Sequence, residues 1–264
     1  MIESHSVPSG SVIPLDWCQP FEHVSLGKNK VDLWLTNISQ PAPVLSRLYE
    51  ILSPQEREKA DRQVAPALQD RFIVARGLLR VLVGRYLGEA PETIRFAKNR
   101  YGKPGLAEEF AGRCMFNKSH SGDLLLFGFA ESQDIGVDLE CIRENINLER
   151  LARRQLTPNE YENFVQIPVS ERLRSFFQMW TRKEAVGKAV GKGLIFQMGS
   201  IDVSRTPNNP AVFHRRELPG SDPDHWYIMD IHNVPNDFCA SLSTYGRIES
   251  LNKYRIDTNN LLSL

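Results

Sequence analysis

The sequence has no net charge, no long apolar run and few cysteines, and each absence excludes a class of protein. Its 264 residues contain 32 basic and 32 acidic side chains, so nothing attracts the whole molecule to nucleic acid or to an anionic membrane. The longest apolar runs, such as residues 124–130, are far too short to span a bilayer. The N-terminus lacks a basic segment followed by an apolar one, which is the pattern of a secretion signal. We therefore predict a soluble, cytoplasmic protein that binds neither nucleic acid nor membrane.

The four cysteines are widely separated, and no pair has the spacing of zinc ligands or of a redox motif. They are Cys18, Cys114, Cys141 and Cys239. We expect reduced thiols, in keeping with a cytoplasmic protein. The remaining composition, 41% hydrophobic and 24% charged, is typical of a globular chain that can form one large or two small cores.

The chain does contain a long internal repeat. The segment LSPQE at 52–56 recurs as LTPNE at 156–160, and both have the form of a helix-capping box with proline at the first helical position. An alternating strand precedes each of them, and a long helical pattern follows, from Arg71 in the first case and from Ser175 in the second. Strand-like segments at 93–99 and 200–206 come next, and the offset between matching elements stays near about one hundred residues.

This repeat predicts an α+β fold built by pseudo-twofold duplication, in which each half is a small antiparallel sheet packed on a long helix. The first half would span residues 30–132 and the second residues 133–245. Residues 1–29 would be an N-terminal extension and residues 246–264 a C-terminal tail, both polar and less ordered. One face of the first long helix is apolar and is expected to be core: Phe72, Ala75, Leu79, Leu82 and Tyr86.

The segment DIGVDLE at 134–140 places two carboxylates on one face of a strand. Its apolar residues alternate, so Asp138 and Glu140 share the opposite face, roughly 7 Å apart. A solvated strand face is the simpler interpretation of such a pair. However, the matching positions of the first half are Asp32 and Trp34. Because only the second half carries the pair, the sequence favours one functional site on a pseudo-symmetric scaffold.

The second long helix adds a third carboxylate. Trp180, Glu184 and Lys188 are four residues apart and therefore stack along one face. Alone, the Glu–Lys pair would be an ordinary surface pair. Together with Asp138 and Glu140, however, Glu184 could complete a site for a hard divalent cation such as Mg²⁺, and Lys188 could meet a phosphate. The helix ends in GKGL at 191–194, where the glycines either cap the helix or let a loop approach a ligand.

Two segments of the first half could contact an anion. In FNKSHSGD at 116–123 the small polar residues favour a turn or loop before the next strand, which would leave His120 exposed and able to donate to an anion. Upstream, YGKP at 101–104 reads as a turn with Lys103 at its tip.

In this order and spacing, FNKSHSGD, IGVDLE and FFQMWTRKEAVGKAVGKGL resemble the three motifs of the Sfp-type 4′-phosphopantetheinyl transferases. The YGKP turn and the SPQEREK…DRF segment are similar to first-half elements of that family. The resemblance covers roughly residues 30–245. It implies a pseudo-dimer of two α+β halves with coenzyme A between them, which agrees with the repeat. The implied reaction transfers the phosphopantetheine arm of coenzyme A to a serine of an apo acyl, peptidyl or aryl carrier protein domain and releases adenosine 3′,5′-bisphosphate. Such carriers serve fatty-acid, polyketide or non-ribosomal peptide synthesis.

The resemblance also implies roles for individual residues. Asp138, Glu140 and Glu184 would hold Mg²⁺, with Mn²⁺ as an alternative, so the second half is the metal and catalytic side. Lys188 would contact the pyrophosphate, and the base would be Glu184 unless a metal-bound water serves. The first half would be the 3′-phosphate side. Its coenzyme A-binding residues would be Lys59, Arg71 and His120 at the 3′-phosphate, Ser119 beside His120, and Lys103 and Pro104 at the adenine end. Trp180 would be a packing residue.

The chain departs from the family pattern at one position. Familiar members carry two basic residues, about three apart, that face the 3′-phosphate; here the first is Glu56 and only Lys59 remains. Arg57 or Arg62 could substitute from a neighbouring turn. The departure concerns recognition of the 3′-phosphate and leaves the metal site untouched.

Three further questions stay open at the level of sequence. The carboxylates would equally suit a Mg²⁺-dependent phosphoester or nucleotide hydrolase, and the fold could serve a non-enzymatic coenzyme A-binding protein. An acidic carrier would need a basic patch, for which RLARRQL at 150–156 is a candidate; it could also be a solvated helix face. It contains Arg150, Arg153 and Arg154. Since a pseudo-dimer supplies both halves of the site, we expect a monomer.

Overall fold

The computed structural model describes residues 12–14, 16–18, 25–192, 201–204, 226–256 and 258. The first half runs through strands and helices in this order: β1 (Lys30–Asn37), α1 (Ala42–Glu50), α2 (Pro54–Asp61), α3 (Pro66–Leu87), β2 (Phe96–Lys98), β3 (Pro104–Leu106), β4 (Met115–Ser121) and β5 (Leu124–Ala130). The second half follows with β6 (Ile135–Cys141), α4 (Leu148–Gln155), α5 (Pro158–Phe164), α6 (Val169–Val190), β7 (Trp226–Asp230) and β8 (Phe238–Tyr245), and then comes β9 (Ser250–Arg255).

The sheets repeat one topology, and the predicted α+β duplication is confirmed. The first sheet has the strand order β4-β5-β1-β9 and the second has the order β6-β8-β7. In the first, β5 pairs antiparallel with both β1 and β4. In the second, β8 pairs antiparallel with both β6 and β7. The series β1-α1-α2-α3-β4-β5 therefore matches β6-α4-α5-α6-β7-β8 element by element.

In each half, a buried carboxylate at the start of a short helix bonds to a cation of the long helix. In the first half, Ser53 and Glu56 form the predicted capping box of α2. The same Glu56 carboxylate accepts a hydrogen bond from Arg80 of α3 at 2.6 Å. Arg80 in turn donates to the backbone carbonyl of Ile94 at 2.8 Å. One carboxylate thereby joins the short helix, the long helix and the segment that follows.

The second half repeats this arrangement with a different cation. The predicted capping box of α5 is present, and its Glu160 pairs with the fully buried Lys183 of α6 at 2.5 Å. Lys183 donates to the carbonyl of Ile201, and Glu160 accepts from the amide of Val203. Of the strand predicted at 200–206, only 201–204 belong to the described residues. These four residues form no strand, because the side chains of Lys183 and Glu160 bond to the backbone groups of Ile201 and Val203 that a neighbouring strand would otherwise satisfy.

The C-terminal residues and part of the N-terminal extension correct the sequence prediction. Residues 250–255, expected in a less ordered tail, form β9, which pairs parallel with β1. In the expected extension, Ile13 and Trp17 are buried. The physical reason is the edge of β1, whose unpaired amide and carbonyl groups β9 satisfies. The mostly polar sequence of this edge strand, SLNKYR, gives no strong strand signal.

Three hydrophobic cores follow from this layering. One lies between the first sheet and α3 and contains the predicted face of that helix, with Phe72 and Tyr86 at its rim. A second lies beneath α6 and contains Trp226. The third is shared by the two sheets and joins the halves. All four cysteines are free thiols, as expected. No helix among the described residues has the length and apolarity needed to cross a bilayer.

Gly136 lets α6 lie directly on β6. A Cβ atom at this position would stand 2.0 Å from the carbonyl oxygen of Ala185 and 2.4 Å from the amide nitrogen of Ala189. Both are backbone atoms of a packed helix and cannot move aside alone. The glycine thus sets the distance between the strand and the helix that carry the predicted carboxylates.

We predict that Gly136→Ala lowers the free energy of unfolding by about 3 kcal/mol or more, because overpacking would force α6 away from the sheet. Denaturation by urea, followed by circular dichroism, measures the change. Gly105→Ala is the matched control, since a Cβ there meets nothing within 4 Å. Equal stability of the two variants would contradict the assigned role of Gly136.

Candidate active site

The two halves meet where β4 lies beside β6. The amide of Val137 donates to the Oδ1 atom of Asn117 at 3.1 Å. The amide of Cys141 donates to the hydroxyl of Ser121 at 2.9 Å. Side chains of β4, rather than its backbone, therefore satisfy this edge of β6 and hold the halves in register.

The turn or loop predicted for FNKSHSGD is wrong over residues 115–121, which form β4. The turn is confined to the residues after it, where Gly122 has a positive φ of 56°. Small polar residues are disfavoured in isolated strands. Here they are stabilised because their side chains meet β6, a partner that comes from the other half of the chain and leaves no trace in the local sequence.

The boundary at which β4 lies beside β6 is called the seam here. Asp138 is buried at the seam, with a relative exposure of 3%. Its Oδ1 atom accepts from the hydroxyl of Ser119 at 2.9 Å and from the ammonium of Lys188 at 2.6 Å. Its Oδ2 atom is also buried and has no hydrogen-bond partner among the described residues. Burial raises the pKa of Asp138, while Lys188 and Ser119 act in the opposite direction. One oxygen of a buried carboxylate is therefore available to a ligand.

Glu140 and Glu184 lie within electrostatic reach of Asp138. Glu140 accepts from Ser121 at 3.1 Å, and burial followed by the charge of Asp138 raises its pKa. Burial raises the pKa of Glu184 to about 7, and the charges of Asp138 and Glu140 add to this, against Lys188. The predicted carboxylates thus gather on facing sides of β6 and α6, and their repulsion is only partly offset.

This donor set fits a hard divalent cation. Carboxylate oxygens are the ligands that Mg²⁺ prefers, and the partnerless Oδ2 atom of Asp138 is a buried acceptor that a cation would satisfy. In the arrangement described, Lys188 occupies Oδ1 of Asp138. No three acidic, histidine or cysteine side chains of the described residues are placed to hold an ion by themselves.

The matching place in the first half is closed. Asp32, the counterpart of Asp138, accepts from the hydroxyl of Tyr86 at 2.7 Å and from Asn252 at 2.8 Å. Trp34, the counterpart of Glu140, also donates to Tyr86. Both oxygens of Asp32 are thereby occupied within the protein. Asp32 therefore offers no unoccupied oxygen to a ligand, in contrast to Asp138.

A cluster of basic side chains lies on the first-half side of the seam. Its members, named here the basic cluster, are Lys59 of α2, Arg71 of α3, and Lys118 and His120 of β4. His120 is exposed, as predicted. The packing around its ring, and then the positive charges of Lys118, Arg71 and Lys188, lower its pKa to about 4. The Nε atom of Arg71 is buried without a partner among the described residues. The cluster is therefore suited to an anion.

Lys103 and Pro104 lie beside the C-terminus of α6. The ammonium of Lys103 donates to the carbonyl of Ala189 at 2.8 Å and, more weakly, to that of Ile135 at 3.4 Å. Burial lowers its pKa, while Asp134 raises it. The predicted turn is present, with Gly102 at a φ of 88°. Its lysine tip is engaged with the second half, so a ligand would meet the backbone and Pro104 rather than a free ammonium.

Glu56, the departure from the family pattern, faces the interior. Its carboxylate pairs with Arg76 as well as Arg80. Burial raises the pKa of Glu56, but the two guanidinium groups lower it by more than burial raises it. The pKa of Glu56 therefore lies below its ordinary value. The suggested substitutes have other partners: Arg57 donates to the carbonyl of Glu50, and Arg62 pairs with Glu58.

Three minor predictions have different outcomes. Trp180 is half-buried and packs against Phe176, with ring centroids 5.7 Å apart, which confirms the packing role. The arginines at 150, 153 and 154 are exposed on α4. Of these, Arg153 pairs with Glu149 at 2.7 Å and lies over the ring of Tyr161. Of GKGL, Gly191 is the left-handed C-cap of α6, while residues 193–194 lie outside the described residues.

The sequences of known proteins match this chain across both halves. The sequence profile of the 4′-phosphopantetheinyl transferase superfamily matches residues 134–243, and that of the 4′-phosphopantetheinyl transferase N-terminal region matches residues 40–131. The 4′-phosphopantetheinyl transferase HetI of Nostoc sp. is 34% identical over 85% of this chain and 91% of its own length. The chain belongs to the 4′-phosphopantetheinyl transferase superfamily. The transferase Sfp of Bacillus subtilis is 32% identical over 60% of this chain and 68% of its own.

Sequence reasoning on this transferase missed two features of the site. Asn117 and Ser121 were assigned to a loop, and Lys118 was given no role. Lys118 lies two residues from His120, so once β4 is known to be a strand, the alternation of side chains places both on one face. The alternation of side chains along this segment is a sign of a strand, but its small polar residues are typical of turns and favoured a loop.

We predict that Glu184→Gln stabilises the metal-free transferase at pH 8 by roughly 1–3 kcal/mol but has little effect at pH 5. The folded-state pKa of Glu184, raised from 4.5 to about 7, lies above its unfolded value. The folded state therefore binds the proton more tightly, and stability falls as pH rises through this window. Glutamine does not ionise, so the Glu184→Gln variant does not lose stability in this way. Urea titrations in EDTA at both pH values test this.

Glu162→Gln is the matched control, because Glu162 is exposed on the neighbouring helix α5. Its stability relative to the wild type should not change with pH. An equal effect of Glu184→Gln at both pH values would mean that Glu184 does not titrate in this range.

Proposed function

We propose that the protein transfers the 4′-phosphopantetheine arm of coenzyme A to a serine of an apo acyl, peptidyl or aryl carrier protein domain. The observation that carries the proposal is the seam itself. A carboxylate group from β6 and α6 faces a basic cluster from α2, α3 and β4 across one boundary. A ligand with separated phosphate groups could meet both. Family membership supports the same reaction.

The basic cluster provides a site for the 3′-phosphate of coenzyme A. Lys59, Arg71 and His120 would contact it, and the buried Nε atom of Arg71 supplies a donor without a partner. Ser119 lies beside His120 and already orients Lys188. The turn at Lys103 and Pro104 would lie against the adenine end. The pyrophosphate would then extend toward Lys188 at the seam.

Asp138, Glu140 and Glu184 would hold Mg²⁺, or Mn²⁺ in its place. When bound, such an ion stabilises negative charge that develops on the pyrophosphate oxygens. Lys188 can supply a second positive charge from its position on Asp138. The partnerless oxygen of Asp138 supports this assignment.

The chemical step forms one bond and breaks another. The serine oxygen of the carrier attacks the phosphorus that bears the pantetheine arm, and the phosphoanhydride bond to the adenosine part breaks. Adenosine 3′,5′-bisphosphate leaves with the bonding electron pair. The serine proton goes to Glu184, the carboxylate of α6 at the seam, which acts as the general base. Lys188 stabilises the charge that accumulates on the leaving group.

The remaining features of the proposal concern partner and assembly. The exposed arginines of α4 are a candidate surface for an acidic carrier, with Arg150 and Arg154 more accessible to a partner than the paired Arg153. We propose a cytoplasmic monomer, because the seam within one chain supplies both sides of the site. Membership in a transferase family favours this reaction over the hydrolase and over the non-enzymatic binding protein.

The direct test is intact mass spectrometry of an apo acyl carrier protein incubated with this protein, coenzyme A and Mg²⁺. We expect a gain of about 340 Da on the carrier serine, abolished by EDTA and by serine-to-alanine substitution in the carrier. Coenzyme A cleavage without carrier modification would instead support the hydrolase. Binding without either reaction, on several unrelated carriers, would support the binding protein.

Glu184→Gln should lower the rate of this transfer by about a hundredfold or more, since it removes both a ligand and the base. Coenzyme A binding, measured by calorimetry, should persist, which separates loss of chemistry from loss of fold. Glu162→Gln again serves as the control. A near-normal rate in Glu184→Gln would remove Glu184 from the mechanism.

His120→Ala should raise the Michaelis constant for coenzyme A by about tenfold, because a donor to the 3′-phosphate is lost. The constant for 3′-dephospho-coenzyme A should stay unchanged. Steady-state transfer assays with both substrates measure the ratio. A parallel rise for both substrates would show that His120 does not read the 3′-phosphate.

A further inference from the structure

Lys118 is a charged side chain within the basic cluster that has no acceptor of its own. It lies at the middle of β4 and is half-buried. Its ammonium makes no hydrogen bond or ion pair with any described residue. A partly desolvated ammonium without a partner is costly in a folded protein. Such a group is therefore retained at a position where a ligand can compensate it.

The register of the sheet places Lys118 on the ligand side of β4. Lys118 stands opposite Phe127 and His120 opposite Leu125 in the β4–β5 ladder. Phe127 and Leu125 belong to the core that β5 forms with α3. Lys118 and His120 therefore share the face that looks toward the helix bearing Arg71, about 6–7 Å apart along the strand.

The surroundings of Lys118 are positive. Burial, followed by the charges of Arg76, Lys188 and Lys59, lowers its pKa to about 8. Of these neighbours, Arg76 is paired with Glu56, a carboxylate that it shares with Arg80. Lys59 makes no ion pair with a described residue and lies over the ring of Phe72. The local excess of positive charge thus centres on Lys118, Lys59 and Arg71. Such an excess is what a site needs in order to bind a dianion.

We propose that Lys118 is a further binding residue for the 3′-phosphate of coenzyme A and supplies the positive charge that this chain lacks at Glu56. The inference rests on the proposed function. Glu56 is committed to Arg76 and Arg80 inside the first half, so the second base of the site comes from β4 instead of α2. The enzyme would then discriminate coenzyme A from its dephosphorylated form through Lys59, Arg71, Lys118 and His120 together.

The test compares the binding of coenzyme A and 3′-dephospho-coenzyme A by calorimetry. Lys118→Met keeps the length of the apolar stem and removes the charged ammonium. We expect it to weaken coenzyme A binding by about 10- to 100-fold, the loss typical of a charge-assisted contact, and to leave dephospho-coenzyme A binding unchanged. Lys118→Arg should restore most of the preference. Lys28→Met is the control, since Lys28 is exposed, precedes β1 and is not a member of the basic cluster, and it should change neither affinity.

The other outcomes are distinct. An equal loss for both ligands would overturn the assignment and place Lys118 at the pyrophosphate or in the packing of β4. No loss for either ligand would remove Lys118 from the site. If the wild-type protein bound neither ligand and modified no carrier, the proposed function itself would fail. That result is read from the wild type alone, so the two failures can be told apart.

Discussion

The structure depends on one buried carboxylate at the boundary between its halves. Asp138 of β6 is held by Ser119 from the first half and by Lys188 from the second. A buried charge is costly unless it is paired and hydrogen-bonded, so these partners must come together when the protein folds. The same requirement fixes β4 beside β6 and α6 above it. Active-site geometry and assembly of the two halves are thus one constraint.

Duplication supplied the scaffold, and divergence made one copy functional. Both halves retain a buried glutamate that joins a capping box to a cation of the long helix, Arg80 in one and Lys183 in the other. In the first half, Tyr86 and Asn252 occupy Asp32. In the second, one oxygen of Asp138 stays without a partner. The strand β9 pairs with the edge of β1, whereas the matching edge of β6 bonds to side chains of β4 at the seam.

The two sides of the seam carry opposite charges that are each incompletely compensated. On one side, burial and then the charges of Asp138 and Glu140 raise the pKa of Glu184 to about 7. On the other, burial and then the charges of Lys118, Arg71 and Lys188 lower the pKa of His120 to about 4. In both cases like charges lie close together in a partly desolvated place. A phosphate-bearing substrate together with a divalent cation would balance both, and this is why the proposed reaction fits the whole boundary better than either cluster alone.

The sequence by itself determined the duplication, both capping boxes, the two long helices and the identity of the acidic residues, because these depend on local periodicity and spacing. It did not determine the strand at 115–121 or the strand at 250–255. Each is stabilised by a partner far away in the chain, and small polar or mixed residues carry no local preference for a strand. Only the tertiary structure decided that the Glu56 carboxylate is bound by Arg76 and Arg80 and that Lys118 lies on the side of β4 that faces α3. Which face of an element meets solvent or ligand depends on what packs against the other side.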